Sequence, residues 1–261
     1  MLIEQAGTAD LERRFGGLRR LYGDASYQRL RAAHVCVVGL GGVGSWAVEA
    51  LARSGIAALT LIDLDHVAES NINRQVQALG STLGMAKAQA LQARVRDIHP
   101  ACRVTAIEEF VTAENWPALL DAGPAARIDA VIDACDQSQA KLALAAWSRA
   151  TATPLVIAGA AGGKRLPQAV AVADLAEVTH DPLLASLRQR LRRDHAAPRS
   201  GPIGLTCVYS REPVSRPQVE AECAIDGSLN CHGYGSAVTV TATFGLVTAS
   251  EALRLLAGGA R

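Results

Sequence analysis

An apolar run, a glycine-rich turn and a helical stretch follow one another in CVVGLGGVGSWAVEALARSG, residues 36–55, and that succession admits few folds. Gly39 permits the tight turn, Gly41 and Gly42 let backbone amides approach an anion, and Gly44 permits close packing of helix on strand. A helix beginning near Val43 then aims its amino end at the anion, which reads as a phosphate. Asp63 ends the next apolar run, at the usual distance of about 20 residues from the glycines, where a carboxylate accepts ribose hydroxyls. To this point a dinucleotide site and an ATP site look alike.

The rest of the chain repeats the alternation. Strand-like runs at 34–39, 58–63, 103–109, 129–134 and 154–159 are separated by helical stretches at about 43–54, 84–98, 114–121 and 138–150. This pattern predicts an α/β, Rossmann-like fold: a mostly parallel sheet with helices on both faces, binding ligands at the carboxyl ends of its strands. Beyond Gly163 come a run at 168–174, a basic helix at 182–194, a run at 204–210 and a last helix, which read as continuation of the sheet. At 261 residues, 49% of them hydrophobic, a single unit is expected. Its parts are an amino-terminal arm of helices (1–33), a nucleotide-binding half (34–163) and a substrate-side and dimerisation half (164–261).

What separates the two nucleotides is charge. The segment after Asp63 gathers Asp65, Asn71, Asn73, Arg74, Gln75 and Lys87. A dinucleotide needs little beyond the helix amino end, whereas phosphates about to be cleaved need positive charge that persists as charge develops on them. Arg74 and Lys87 supply it, and Lys87 is one of only three lysines, with Lys141 and Lys164. On the fourth strand VIDACDQ presents Asp133 and Asp136, and an acid just past a strand end facing phosphates suits a hydrated magnesium ion. Taken alone, Asp136 also fits as a cap for the helix near 138. A nicotinamide oxidoreductase leaves Arg74, Lys87 and Asp136 without a task, and a nucleotide-binding module without catalysis would show no ATP turnover.

The net charge of +1 neither suggests nor excludes a nucleic-acid partner. Six cysteines include no C-x-x-C pair, and no charged-then-apolar leader is present, so a reducing cytoplasm is the expected compartment. The uncharged stretch 233–250 carries four threonines and reads as a buried or dimer-interface helix, with no membrane span expected. His180, His195 and His232 have no ligand spacing.

The motifs GLGGVGS, LIDLD, SNINRQ, GMAKA and DACDQ resemble those of the ubiquitin-activating-enzyme-like adenylating superfamily, which includes the molybdopterin- and thiamine-biosynthesis adenylyltransferases. Within it, RRFGGLRRLYG, IAGAAGGKRLPQ, DPLLASLRQRLR, LTCVYSREP and GYGSAVTVTATFG resemble the tRNA threonylcarbamoyladenosine dehydratase branch. The resemblance implies ATP and magnesium as cofactors, with Asp63 on the ribose and Gly41, Gly42, Asn71, Arg74 and Lys87 on the phosphates. It gives Asp136 the magnesium and Asp65 a supporting place near it. It also implies a homodimer in which an amino-terminal arginine, Arg14 or Arg20, enters the neighbour's site.

The implied substrate is tRNA bearing threonylcarbamoyladenosine beside the anticodon, whose threonyl carboxylate is activated as an acyl-adenylate. The carbamoyl group then closes a ring and expels AMP. No protein nucleophile is required, so Cys223 and Cys231 are expected to be inert, with a sulfur-relay partner left open. Lys164, Arg165, Arg188, Arg190, Arg192, Arg193 and Arg199 are candidates to contact tRNA phosphates. The competing reading is adenylation of the carboxyl terminus of a ubiquitin-like sulfur carrier. Its activators commonly bind zinc through paired C-x-x-C motifs, absent from this chain.

Overall fold

Every side chain of the apolar stretch His34–Val38 (β1) is buried, as befits a strand in the middle of a sheet covered on both faces. The computed structural model describes residues 9–122, 127–215 and 234–258. Six further strands join β1: Ala58–Ile62 (β2), Arg103–Ile107 (β3), Ala130–Asp133 (β4), Leu155–Ala158 (β5), Val170–Asp174 (β6) and Thr206–Ser210 (β7). Their order is β3-β2-β1-β4-β5-β7-β6, parallel except for β6, which runs antiparallel to β7 at one edge. The chain moves outward from β1 to β3 and then returns to place β4 beside β1. That reversal leaves a crevice at the carboxyl ends of β1 and β4, where open sheets of this kind take ligands.

Helices Leu11–Tyr22 (α1), Asp24–Ala32 (α2), Gly44–Arg53 (α3), Lys87–Ile98 (α4), Ser138–Thr151 (α5), Pro182–Asp194 (α6) and Val238–Leu256 (α7) surround the sheet. Strand parity divides the core in two. Val35, Val37, Leu59, Leu61 and Ile132 meet Leu51, Leu91 and Phe244, whereas Cys36, Val38, Ile62 and Val131 meet Leu144, Leu184, Leu187 and Leu191. Full burial of one such side chain contributes roughly 1.5–3 kcal/mol, so truncating any one of them in a central strand would remove a large share of the stability.

Three elements differ from the sequence expectation. The helix expected from 84 starts at Lys87, because Gly84 takes φ +80° and Ala86 forms a bridge with His66 before the helix can begin. The stretch 114–121 forms turns and a 3-10 segment, Ala118–Ala122, following Pro117. The third strand stops at Ile107, short of Glu109. The uncharged last stretch is the helix α7, and among the described residues no helix is long and apolar enough to cross a membrane.

Candidate active site

A cleft of about 400 Å³ opens at the carboxyl ends of β1, β2, β4 and β5. Its floor begins with the glycine turn. Gly39 has φ +84°, and a Cβ there would lie 2.6 Å from the backbone nitrogen of Cys135. At Gly44 a Cβ would lie 1.8 Å from the Gly39 carbonyl oxygen, so the first turn of α3 rests directly on the end of β1. Gly41 and Gly42 line the cleft, and no side chain caps the amino end of α3. That end is therefore available to an anion.

Asp63, just past β2, is buried and held by two backbone donors: Leu40 N–H at 2.6 Å on Oδ2 and Asp65 N–H at 2.9 Å on Oδ1. Burial lifts its carboxyl above the usual carboxylate range, against the pull of Lys87 and of those two bonds. Lys87 opens α4 with its side chain buried, and its Nζ lies 2.6 Å from the exposed carboxylate of Asp65. Asp65 also receives the Lys87 N–H on its carbonyl at 2.9 Å. Both side chains line the cleft, so what Asp65 visibly does is fix an ammonium there.

Arg74 reaches the cleft from the loop between β2 and α4. One of its terminal nitrogens donates to the Ser70 carbonyl at 2.6 Å and to Asn73 Oδ1 at 2.9 Å. Burial lowers its pKa without discharging a guanidinium. Asn71, expected on the phosphates, is absent from the cleft wall. Its Oδ1 accepts from Ala68 N–H at 3.1 Å, and its carbonyl accepts from the Arg74 and Gln75 amides. It shapes the turn that presents Arg74. Beneath that turn, buried Gln77 donates to the Leu40 carbonyl at 2.9 Å and Trp46 Nε1 donates to the Arg74 carbonyl at 3.0 Å, contacts for which the sequence carries no periodic signal.

Asp136 and Cys135 line the cleft where the chain leaves β4, with Gln137, not Asp136, as the N-cap position of α5. Below them the buried carboxylate of Asp133 pairs with Lys141 at 3.1 Å, both side chains at 0% exposure. Burial alone would lower the pKa of Lys141, yet Asp133 raises it, so the ammonium persists. Beyond β5 the floor is Gly159–Gly162, edged by Val214 and Tyr234. Asp181 caps α6 through Leu184 N–H at 3.0 Å and also accepts from Ala160 N–H at 2.8 Å.

The structure corrects the expectation for two basic residues and locates the others. Lys164 cannot contact tRNA phosphates: it is buried, and its Nζ donates to the carbonyls of His180, at 3.3 Å, and Glu212. Arg188 is committed to the carbonyls of Leu175 and Val178. Arg165, Arg193 and Arg199 are exposed. Arg14 is held within its own chain by the carbonyls of Asp97, at 3.2 Å, and Ile98, at 2.6 Å. Arg20 is exposed on α1 and outside the cleft wall. Cys36, Cys102, Cys135 and Cys207 are free, whereas Cys223 and Cys231 lie outside the described residues.

This arrangement has relatives. The model of the ThiF family matches residues 14–261. The chain belongs to the ThiF family. Among curated ThiF-family relatives it is 45% identical to the tRNA threonylcarbamoyladenosine dehydratase of Escherichia coli (strain K12), covering 95% of each chain. It is 42% identical to the dehydratase of the same name from Haemophilus influenzae, over 93% of this chain and 92% of that one. The crystal structure of the E. coli dehydratase in complex with ATP superimposes with a TM-score of 0.84 at 44% identity, covering 95% of this chain and 96% of that one.

Proposed function

We propose that this ThiF-family chain is an ATP-dependent tRNA threonylcarbamoyladenosine dehydratase, an adenylate-forming enzyme acting on the modified nucleoside beside the anticodon. The observation that carries this reading is its likeness, along more than nine-tenths of both chains, to two dehydratases. The cleft agrees in chemistry: a phosphate-receiving turn, a ribose-seeking carboxylate and two cations share one wall.

Four acids (Asp63, Asp65, Glu109 and Asp136) and two cations (Arg74 and Lys87) line the cleft among the described residues. A triphosphate entering that field needs further positive charge. No group of three His, Cys, Asp or Glu is placed to hold a metal by itself among the described residues. This donor set fits magnesium, which takes one or two carboxylates and completes its shell with phosphates and water. Asp136 is the residue to hold it, and the bound ion would neutralise charge building on the phosphates.

In the reaction an oxygen of the threonyl carboxylate attacks the α-phosphorus, and the bond to pyrophosphate breaks. The carbamoyl group of the same nucleoside then attacks the acyl carbon, gives up a proton and displaces AMP. One ATP becomes AMP and pyrophosphate, and the nucleoside is lighter by one water. Asp63 accepts the ribose hydroxyls, and the amides at Gly41 and Gly42 with the amino end of α3 receive phosphate oxygens. Arg74 and Lys87 hold the departing pyrophosphate, Lys87 aimed by Asp65 and Arg74 by the Asn71 turn.

A second copy of the chain supplies Arg20, making the working unit a homodimer. Exposed Ile72, Leu79 and Leu246 offer apolar surface for that contact, and exposed Arg165, Arg193 and Arg199 offer cations for tRNA phosphates. Free thiols suit work in the cytoplasm.

The test is mass analysis of nucleosides from threonylcarbamoylated tRNA incubated with the protein, ATP and magnesium. The expected product is lighter by one water. Unchanged tRNA, with adenylation of a ubiquitin-like carrier instead, would replace this reading with the sulfur-carrier one.

A further inference from the structure

Lysine is almost never fully buried unless paired, yet Lys141 has no exposed surface and sits beneath the cleft. Its ammonium donates to Asp133 Oδ1 at 3.1 Å and to the Ala158 carbonyl at 2.9 Å, so one group joins α5 to the last residues of β4 and β5. The same Asp133 oxygen accepts from the Cys135 N–H at 3.2 Å and the Cys135 thiol at 3.0 Å. Asp133 Oδ2 is buried with no hydrogen-bond partner. The carboxylate therefore does two things: it shapes the turn leading to Asp136, and it carries a negative charge close under the phosphate end of the cleft.

That charge matters in a cleft already rich in acids. Uncompensated, it would compete with Asp136 for any cation and repel the nucleotide. Lys141 cancels it. Asp181, which also acts on Lys141, is itself an acid and cannot take over its part in neutralising Asp133.

We infer that Lys141 is a positioning residue for adenylate formation, neutralising and anchoring Asp133 so that Asp136 is the one carboxylate of this strand end that acts on the nucleotide and its metal ion. The inference rests on the assignment of magnesium to Asp136.

The experiment measures ATP binding by calorimetry across a magnesium titration, on the full-length protein, for Lys141→Met, Asp133→Asn, the double variant and Asp136→Ala. At a pH high enough to keep the buried Asp133 carboxyl ionised without its partner, Lys141→Met leaves an extra negative charge, so the magnesium concentration at half-effect falls. At a pH low enough to keep the buried Lys141 ammonium protonated without its partner, Asp133→Asn leaves an extra positive charge, so it rises. Each shift is expected to be on the order of tenfold. The double variant returns near the wild-type value, because replacing both members of a buried pair leaves no lone charge. In single-turnover assays each single variant also loses roughly a hundredfold in rate, since the turn bearing Asp136 is misplaced.

A purely structural role would move both midpoints in the same direction, or neither, and either result overturns the inference. Should Lys141→Met not fold, Asp133→Asn against the double variant reads the same charge from the other side. If Asp136→Ala leaves the midpoint unchanged, the magnesium assignment itself has failed. If Asp136→Ala moves it but the pair variants do not move oppositely, only the role of Lys141 has failed.

Discussion

Asp63→Asn separates binding from chemistry in this site. The wild-type carboxylate accepts two backbone N–H groups, from Leu40 at 2.6 Å and Asp65 at 2.9 Å, in a buried position. An amide has one oxygen for these two donors, and its NH2 faces the other. One buried donor is thus left unpaired, which costs about 1–3 kcal/mol of stability. The variant also offers ATP a neutral acceptor where a charged one stood, and hydrogen bonds to charged groups contribute about 1.5–3 kcal/mol. That corresponds to roughly 10- to 150-fold weaker ATP binding. A ribose contact is made equally in the ground and transition states, so KM rises and kcat holds. The assay is AMP release against ATP concentration at saturating tRNA, with thermal unfolding followed in parallel. A variant whose kcat collapses while KM for ATP stays put would refute the ribose assignment.

His99 is packed against Phe15 and Arg31, and burial, with the nearby Arg31 and Arg14 cations, pulls its pKa down to about 4. The folded state thus resists protonation that the unfolded state accepts from 6.5 downward, so its contribution is complete above 6.5 and lost as pH falls towards 4. Melting temperature should drop across that window more steeply in wild type than in His99→Gln; parallel curves would exclude the histidine. Mixing Arg20→Ala chains with Lys87→Ala chains should restore part of the activity through hybrid dimers, and confirmed heterodimers without recovery would exclude Arg20 as the residue acting in trans. Cys231→Ala should keep most of the turnover, since the ring-closing nucleophile belongs to the substrate; a folded but inactive variant with a trappable protein adduct would contradict that.

The seven strands were legible because each is a short run of apolar residues broken by polar or glycine positions. What their pattern does not encode is polarity: β6 reads like its neighbours yet runs antiparallel, because the connection from β5 carries only the short 3-10 segment Pro167–Ala169 and no crossover helix. In the site, glycine and acid positions were legible where backbone geometry demands them, as at Gly39 and Gly44. For Asn71 the sequence carried no sign of the turn it shapes, because an asparagine that donates to phosphate and one whose oxygen accepts from a backbone N–H, as here from Ala68, look identical in sequence. Lys141 and Lys164 escaped for a different reason. Their partners are Asp133, at the end of another element, and carbonyls at His180 and Glu212, and nothing in local spacing announces such contacts. Basic residues in a polar stretch read as surface, whereas desolvation is decided by what folds over them.

The central claim is that this cleft adenylates a carboxylate carried by modified tRNA. Its most direct test is simultaneous measurement of AMP and pyrophosphate from radiolabelled ATP, with threonylcarbamoylated tRNA, with the same tRNA lacking the modification, and with Asp136→Ala in place of wild type. The account predicts equal amounts of AMP and pyrophosphate, only with the modified tRNA, and a loss on the order of a hundredfold or more in rate for Asp136→Ala with tRNA affinity retained. AMP release indifferent to the modification would contradict the substrate, and near-normal turnover by Asp136→Ala would contradict the chemistry assigned to the cleft.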